Sequence, residues 1–189
     1  MPTDDELEEL YRVAEAGIHP PDQMPFHVPW TDALNRSDFF AYHRTQWREW
    51  TPDKWMCDFV TFRDGRVIGS QGIGAERFAR DRTVSTGSWL GRASHGRGYG
   101  TEQRAAILEF AFRGLRARAA TSGAHSDNVP SQCIAAKLGY RVTGANTTTP
   151  RGKPMFNYHY RIERGDWRCP IPVEIEGLTP ALPLFGADR

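Results

Sequence analysis

The chain is expected to fold as mixed α/β: a mostly antiparallel sheet flanked by helices. Three observations carry that expectation. The stretches WMCDFVTF (55–62) and RVIGSQGIG (66–74) flank an Asp64–Gly65 turn and read as a hairpin. Helical and extended patterns then follow in the order helix, helix, strands, helix, strand, helix, strands, which suits adjacent antiparallel pairs. Finally, Gly96, Gly98 and Gly100 lead without a break into a long helical pattern.

Taken in order, DDELEELYRVAEA places Leu7, Leu10, Tyr11 and Ala14 at three- and four-residue spacings, with acids in the first turn and Gly17 as a stop. Residues 17–30, GIHPPDQMPFHVPW, hold too much proline for a regular element and read as an ordered loop. Residues 38–50 are a second helical region carrying Phe39, Phe40, Tyr42, His43, Trp47 and Trp50, rings suited to a core edge or a cavity wall. After the hairpin, VSTGSWLG (84–91) is a third strand that ends at the glycine loop. The helix of residues 101–119 lines one face with Leu108, Ala111, Phe112, Leu115 and Ala119. ATSGAHS is a short strand, VPSQCIAAKLG a helix ended by Gly139, and YRVTGA and PMFNYHYRIER two more strands. The body of the fold is expected to span residues 1–165. The apolar tail, 166–189, either packs on the domain or a subunit interface or is left disordered.

Composition narrows the function classes. Of 189 residues, 39% are hydrophobic and 25% charged, a soluble globular profile, and the formal net charge is +1. That balance suggests no bulk attraction to nucleic acid or to an anionic membrane. Arg97, Arg104, Arg113, Arg116 and Arg118 gather locally, as a solvated helix face or as a weak field for an anion. Cys57, Cys133 and Cys169 lie far apart and form no CxxC pair, which argues against structural zinc and against a disulfide framework, and no metal is expected. No stretch approaches 18 apolar residues and the N-terminus lacks a signal-peptide pattern, so the expected location is cytoplasmic.

The glycine loop is the candidate site. Glycine permits positive φ and close approach of a ligand to the backbone. Residues 94–101 can therefore form a nest of amides leading onto the free N–H groups of a helix start, where phosphates bind. The alternative is a tight turn with no ligand. No lysine lies near the loop, so it is not a Walker motif, and GxGxG with AATSGA around position 120 is not the dinucleotide fingerprint.

HGRGYGTEQRAA followed by NVPSQCIAAKLGYRVTG resembles the GCN5-related N-acetyltransferase (GNAT) superfamily, in particular its ribosomal-protein-alanine acetyltransferase-like branch. The resemblance covers roughly residues 4–163 and implies a splayed sheet, here without the usual first strand, since the helical pattern starts at Asp4. The absent strand is either missing or replaced, for instance by the tail. The resemblance also implies acetyl-CoA as cosubstrate. His95 takes the place of the usual Gln or Arg, and the amides of Gly96, Arg97, Gly98, Gly100 and Thr101 would hold the pyrophosphate. Asn128 and Ser131 would lie beside the pantetheine, on a helix carrying Lys137 that packs near the adenosine. Backbone groups of Trp89 and Leu90 would align the acetyl group, with the Leu90 amide polarising its carbonyl.

Many superfamily members place a tyrosine, as general acid, where this chain has Ala135; the ribosomal-protein branch commonly lacks it. Candidate bases are Glu76, Ser88 through a water, and His125, each with a structural alternative. Asp127 next to His125 reads as a turn former. The acceptor would enter opposite CoA, with Phe26, Trp30, Tyr42, His43 and Trp47 as candidate walls or simply as core. The implied activity is acetyl transfer to a primary amine, either a protein N-terminus or a small molecule, by direct attack in a ternary complex. The alternative is a non-catalytic acyl-CoA-binding or interaction domain. A homodimer is an open expectation.

Overall fold

The computed structural model describes residues 2–188. Helix α1 (Asp4–Glu15) starts at Thr3, whose hydroxyl accepts from the Glu6 amide while the Glu6 carboxylate accepts from the Thr3 amide. Helix α2 (Arg36–Arg48) is capped by Asn35, whose side-chain oxygen accepts from the Asp38 amide. Strands β1 (Lys54–Arg63) and β2 (Arg66–Glu76) form the expected hairpin. Asp64 and Gly65 both take positive φ, +50° and +73°, the geometry that matches a two-residue turn to the twist of its strands.

A four-residue helix, α3 (Phe78–Asp81), leads into β3 (Thr83–Leu90). Helix α4 (Tyr99–Glu109) continues through a π-helical turn, Phe110–Gly114, and stops sooner than the apolar spacing suggested. Its stripe turns into the core there, Arg116 takes φ +55°, and Ala119 already begins β4 (Ala119–His125). Helix α5 (Val129–Lys137) and the hairpin of β5 (Arg141–Thr148) and β6 (Met155–Glu163) follow.

The sheet has six strands in the order β1-β2-β3-β4-β6-β5, antiparallel except where β3 meets β4. One face packs on α1 and α2 through Leu7, Leu10, Phe39, Phe40 and Val67. The other carries the larger core, with Ile73, Val84, Leu108, Phe112, Leu115 and Ile162 beneath α4 and α5. The helical stripe read from sequence is buried throughout.

Among the described residues no strand pairs with the outer edge of β1, and α1 is the first element. The tail does not fill that edge position. It crosses the α4 face instead, where Trp50 Nε1 donates to Leu184 O (2.7 Å), Trp55 Nε1 to Phe185 O (3.2 Å), and Arg113 to Val173 O. Within the tail, the short helix α6 (Leu178–Ala181) lies against Gly114.

Candidate functional site

The sheet comes apart in one place. β3 and β4 pair only over Thr83↔Ala119, Val84↔Ala120 and Ser85↔Thr121, although β3 runs on to Leu90 and β4 to His125. β4 stays paired with β6 along that length and β3 with β2, so a gap opens between residues 86–90 and 122–125. Main-chain direction within the gap follows from alternation. The Gly91 amide donates to Ile68 O across β2, which makes Ser70↔Trp89 a hydrogen-bonded pair and turns the backbone groups of Ser88 and Leu90 toward the gap. Trp89 therefore does not offer the backbone groups expected of it, because they are spent on β2. Its indole packs against Trp30 instead. Leu90 keeps its amide toward the gap, while its carbonyl accepts from His95 Nε2 at 2.9 Å.

The glycine loop stands at the mouth of the gap. Gly96 (φ +72°) and Gly98 (φ +88°) are left-handed, and Gly98 is the N-cap of α4. Among the described residues the amides of Gly96, Arg97, Gly98, Tyr99 and Gly100 donate to no acceptor, whereas the Thr101 amide donates to Gly98 O. A run of unsatisfied amides at a helix start is the chemistry of a phosphate cradle. Thr101 thus offers its side chain but not its amide. Gly100 has a second reason to be glycine: an added Cβ would meet Ile134 Cδ1 of α5 at 3.0 Å. Asn128 caps α5 by accepting from the Ser131 amide (3.2 Å), which fixes that helix beside α4. Lys137 is exposed in its last turn.

On the α1–α2 face, the strand registers place Asp58, Gly72, Gly87, Gly123 and His159 in one row that crosses the gap. The floor is open at Gly87, where nothing lies within 4 Å of a built Cβ, while at Gly123 the Asn157 side chain lies 3.3 Å from one. At one end the Asp58 carboxylate lies over Gly72, where an added Cβ would sit 2.6 Å from Oδ1. Tyr42 donates its hydroxyl to that carboxylate, and His43 Nδ1 is 3.7 Å away. Burial pushes Asp58 up to about 6 against the Tyr42 hydrogen bond, and burial alone pushes His43 down to about 4. The Tyr42 phenol is raised by burial and then by the Asp58 charge.

On the α4 face, the apex of the gap is bridged by hydroxyls and one cation. Thr86 Oγ1 donates to Thr121 O (3.2 Å) and Ser122 Oγ to Thr86 O (3.0 Å). Arg104 donates through Nη2 to Ser88 Oγ (3.0 Å) and through Nη1 to Ser122 Oγ (3.2 Å), and it also meets the Tyr140 hydroxyl. Arg104 is 4% exposed, so it does not belong to a solvated helix face as its charge suggested. Two buried polar atoms here have no partner among the described residues: Arg104 Nε and Gln71 Oε1, the latter on the residue opposite Ser88.

Other candidates are placed differently from expectation. His125 is 2% exposed; its Nδ1 donates to Met24 O (2.9 Å) and its Nε2 meets Thr148 Oγ1 (3.3 Å). Nδ1 pins the proline-rich loop at Met24 and Nε2 faces Thr148 at the end of β5, so the buried ring is taken up in holding these two segments. Glu76 is exposed at the closed end of the sheet, four residues past Gly72 or roughly 13 Å along the strand, and lies 3.7 Å from Lys54. Neither side chain is placed at the gap-facing end of the glycine row. Asp127 is exposed in the turn before α5. Phe26, Trp30 and Trp47 pack into the smaller core, while Tyr42 and His43 reach Asp58.

Asp58, Arg104 and the glycine row were missed in the sequence. Arg104 lies four residues before Leu108, on the buried stripe of α4, and that register was the available signal. The signals for the row were an acid inside an apolar strand and glycines inside β2. Two surface depressions of about 610 and 400 Å³ lie elsewhere, over the outer face of α2 and between β1, α4 and the tail. No cluster of side chains able to hold a metal ion occurs among the described residues, and no helix is long and apolar enough to cross a membrane.

Comparison with known proteins gives one consistent result. The family described as "Acetyltransferase (GNAT) domain" matches residues 1–141. Among solved structures, Mycobacterium smegmatis RimJ in complex with CoA-disulfide superposes with a TM-score of 0.68 at 17% identity, over 84% of this chain and 78% of that one. RimL, a ribosomal L7/L12 alpha-N-protein acetyltransferase in complex with coenzyme A, gives 0.69 at 14% identity, over 86% and 90%. The ribosomal-protein-alanine N-acetyltransferase from Brucella melitensis gives 0.64 at 15% identity, over 86% and 96%. At these identities the likeness is one of fold.

Proposed function

The chain belongs to the acetyltransferase (GNAT) domain family, and from that premise we propose that it is an acetyl-CoA-dependent N-acetyltransferase acting on a primary amine, a protein N-terminus or a small molecule, by direct attack in a ternary complex. The observation that carries the proposal is the alignment of two features: a run of unsatisfied amides at the start of α4, and a gap in the sheet leading away from it. A phosphate-bearing ligand with a long flexible arm fits that pair, and bound acetyl-CoA would supply the activated acetyl group.

The residues divide the work by face. Gly96, Arg97, Gly98, Tyr99 and Gly100 offer amides to the phosphates, and the helix dipole of α4 adds to the attraction. Leu90 offers a gap-facing amide as the donor that polarises an acetyl carbonyl. The amine approaches over Gly87, where nothing lies within 4 Å of a built Cβ, between Asp58 over Gly72 and Asn157 beside Gly123. Asp58 is the carboxylate at the edge of that floor. It is ionised at neutral pH, suited to attract an ammonium, and close enough to neutrality in pKa to accept its proton.

The test is thiol release from acetyl-CoA in the presence of a library of amines and N-terminal peptides. Turnover with at least one acceptor, lost in Asp58→Asn while coenzyme A affinity stays within about twofold, is the expected result. Saturable coenzyme A binding with no thiol release from any acceptor would leave a binding domain and overturn the enzymatic assignment.

A further inference from the structure

Arg104 is a buried cation without an anion. No carboxylate among the described residues lies within ion-pair distance of it, its Nε has no partner among them, and its hydrogen bonds go to neutral hydroxyls, those of Ser88 and Ser122, beside the Tyr140 phenol. Burying a charge in this way is costly unless something in the functional state compensates it. The position is informative too, because Arg104 bridges the two strands just beyond their last parallel rung, Ser85↔Thr121, at the inner end of the gap. A ligand held at the mouth by the α4 amides and threaded along the gap ends here.

The hydroxyls at the apex are not equivalent. Ser122 directs its proton to Thr86 O and Thr86 directs its own to Thr121 O. Ser88 Oγ accepts from Arg104, and its own proton has no acceptor among the described residues. A cation donating to a hydroxyl oxygen makes that hydroxyl a stronger hydrogen-bond donor. We propose that Arg104 is a positioning residue that aims and strengthens the Ser88 hydroxyl as the donor to the sulfur released on acetyl transfer. The reaction forms a C–N bond and breaks the C–S bond; the bonding pair stays on sulfur and the amine loses one proton. Negative charge thus appears beside the Ser88 hydroxyl, whose proton has no acceptor among the described residues.

The proposal rests on coenzyme A as the occupant of the gap, and its test separates the two. The thiol of coenzyme A bound to the full chain should titrate about 1–2 units below its value in water, as beside a positive charge. Affinity for coenzyme A should then rise roughly five- to tenfold between pH 7 and pH 9, while affinity for desulfo-coenzyme A stays flat. Groups facing the apex leave that window clear: Gln71 from β2 and Ser122 from β4 do not titrate, and burial holds the Tyr140 phenol above its ordinary value. Arg104→Met and Ser88→Ala should each abolish the pH dependence and leave desulfo-coenzyme A binding within about twofold; Arg104→Lys should keep part of it.

An unshifted thiol in the native protein, or equal losses for the two ligands in the variants, would overturn the proposal. If Arg104→Met does not fold, a pH dependence surviving in Ser88→Ala overturns it as well. Failure of desulfo-coenzyme A to bind the native protein would remove the coenzyme A assignment and this inference together.

Discussion

Replacing Gly98 with alanine should separate backbone strain from ligand binding. Gly98 has φ +88°, and a Cβ built there meets nothing within 4 Å, so the cost is conformational and not steric. For an L-residue in the left-handed region that cost is about 1–2 kcal/mol. In a domain of this size it lowers Tm by about 2–8 °C.

The consequence for binding is larger. Relaxing Gly98 rotates the amides on either side of it, and each charge-assisted bond to a phosphate contributes about 1.5–3 kcal/mol. Loss of one such bond raises the dissociation constant for coenzyme A about 10- to 150-fold. Gly177→Ala is the matched control. It too has positive φ (+65°) and open space, but it lies in the tail at the start of α6. Gly91 is a poor control, since an added Cβ would meet Val13 Cγ1 at 2.7 Å. Calorimetric titration with coenzyme A and thermal unfolding should show similar Tm losses for the two variants, with weakened binding only in Gly98→Ala. Equal affinity in both, or affinity loss in both, refutes the cradle.

Asp58 and His43 should make opposing contributions to the pH dependence of stability. The folded Asp58 carboxyl, raised to about 6, binds its proton more tightly than when unfolded, so its contribution falls as pH rises from about 4 to 6. The folded imidazole, lowered to about 4, binds its proton less tightly, so its contribution grows as pH rises from about 4 to 6.5. Each amounts to about 3 kcal/mol, so the two nearly offset one another in the native protein over this window, as read by urea unfolding. Asp58→Asn should grow more stable toward pH 6.5 and His43→Gln less stable; slopes of the same sign would refute the assignment. His125→Gln removes the link from β4 to Met24 and should cost about 1–3 kcal/mol with coenzyme A affinity unchanged, since the ring pins a loop away from the cradle. A loss of coenzyme A binding there, at constant fold by circular dichroism, would contradict that role.

Much of the fold was legible because its signals are short-range. The Asp64–Gly65 turn, the acidic first turn of α1, the apolar stripe of α4 and the glycines before it all act within a few residues, where spacing fixes geometry. The run of free amides was legible for the same reason, because a helix start and its amides are consecutive in the chain. The end of α4 was not, since the π turn and Arg116 answer to how the chain must re-enter the sheet.

His125 shows the limit from the other side. Its residue type suits proton transfer, but burial against Met24 O and Thr148 gave it a structural task that spacing does not encode. The sequence by itself determined the main elements, their order and the loop that is the candidate phosphate site. Tertiary structure alone decided the rest. Partial pairing of β3 with β4 opened the gap, cross-strand register lined Asp58 up with Gly72, Gly87 and Gly123, and packing of α4 on the sheet carried Arg104 to Ser88 and Ser122. These groups are distant in the chain, and only the pairing of strands and the burial of a helix face bring them together.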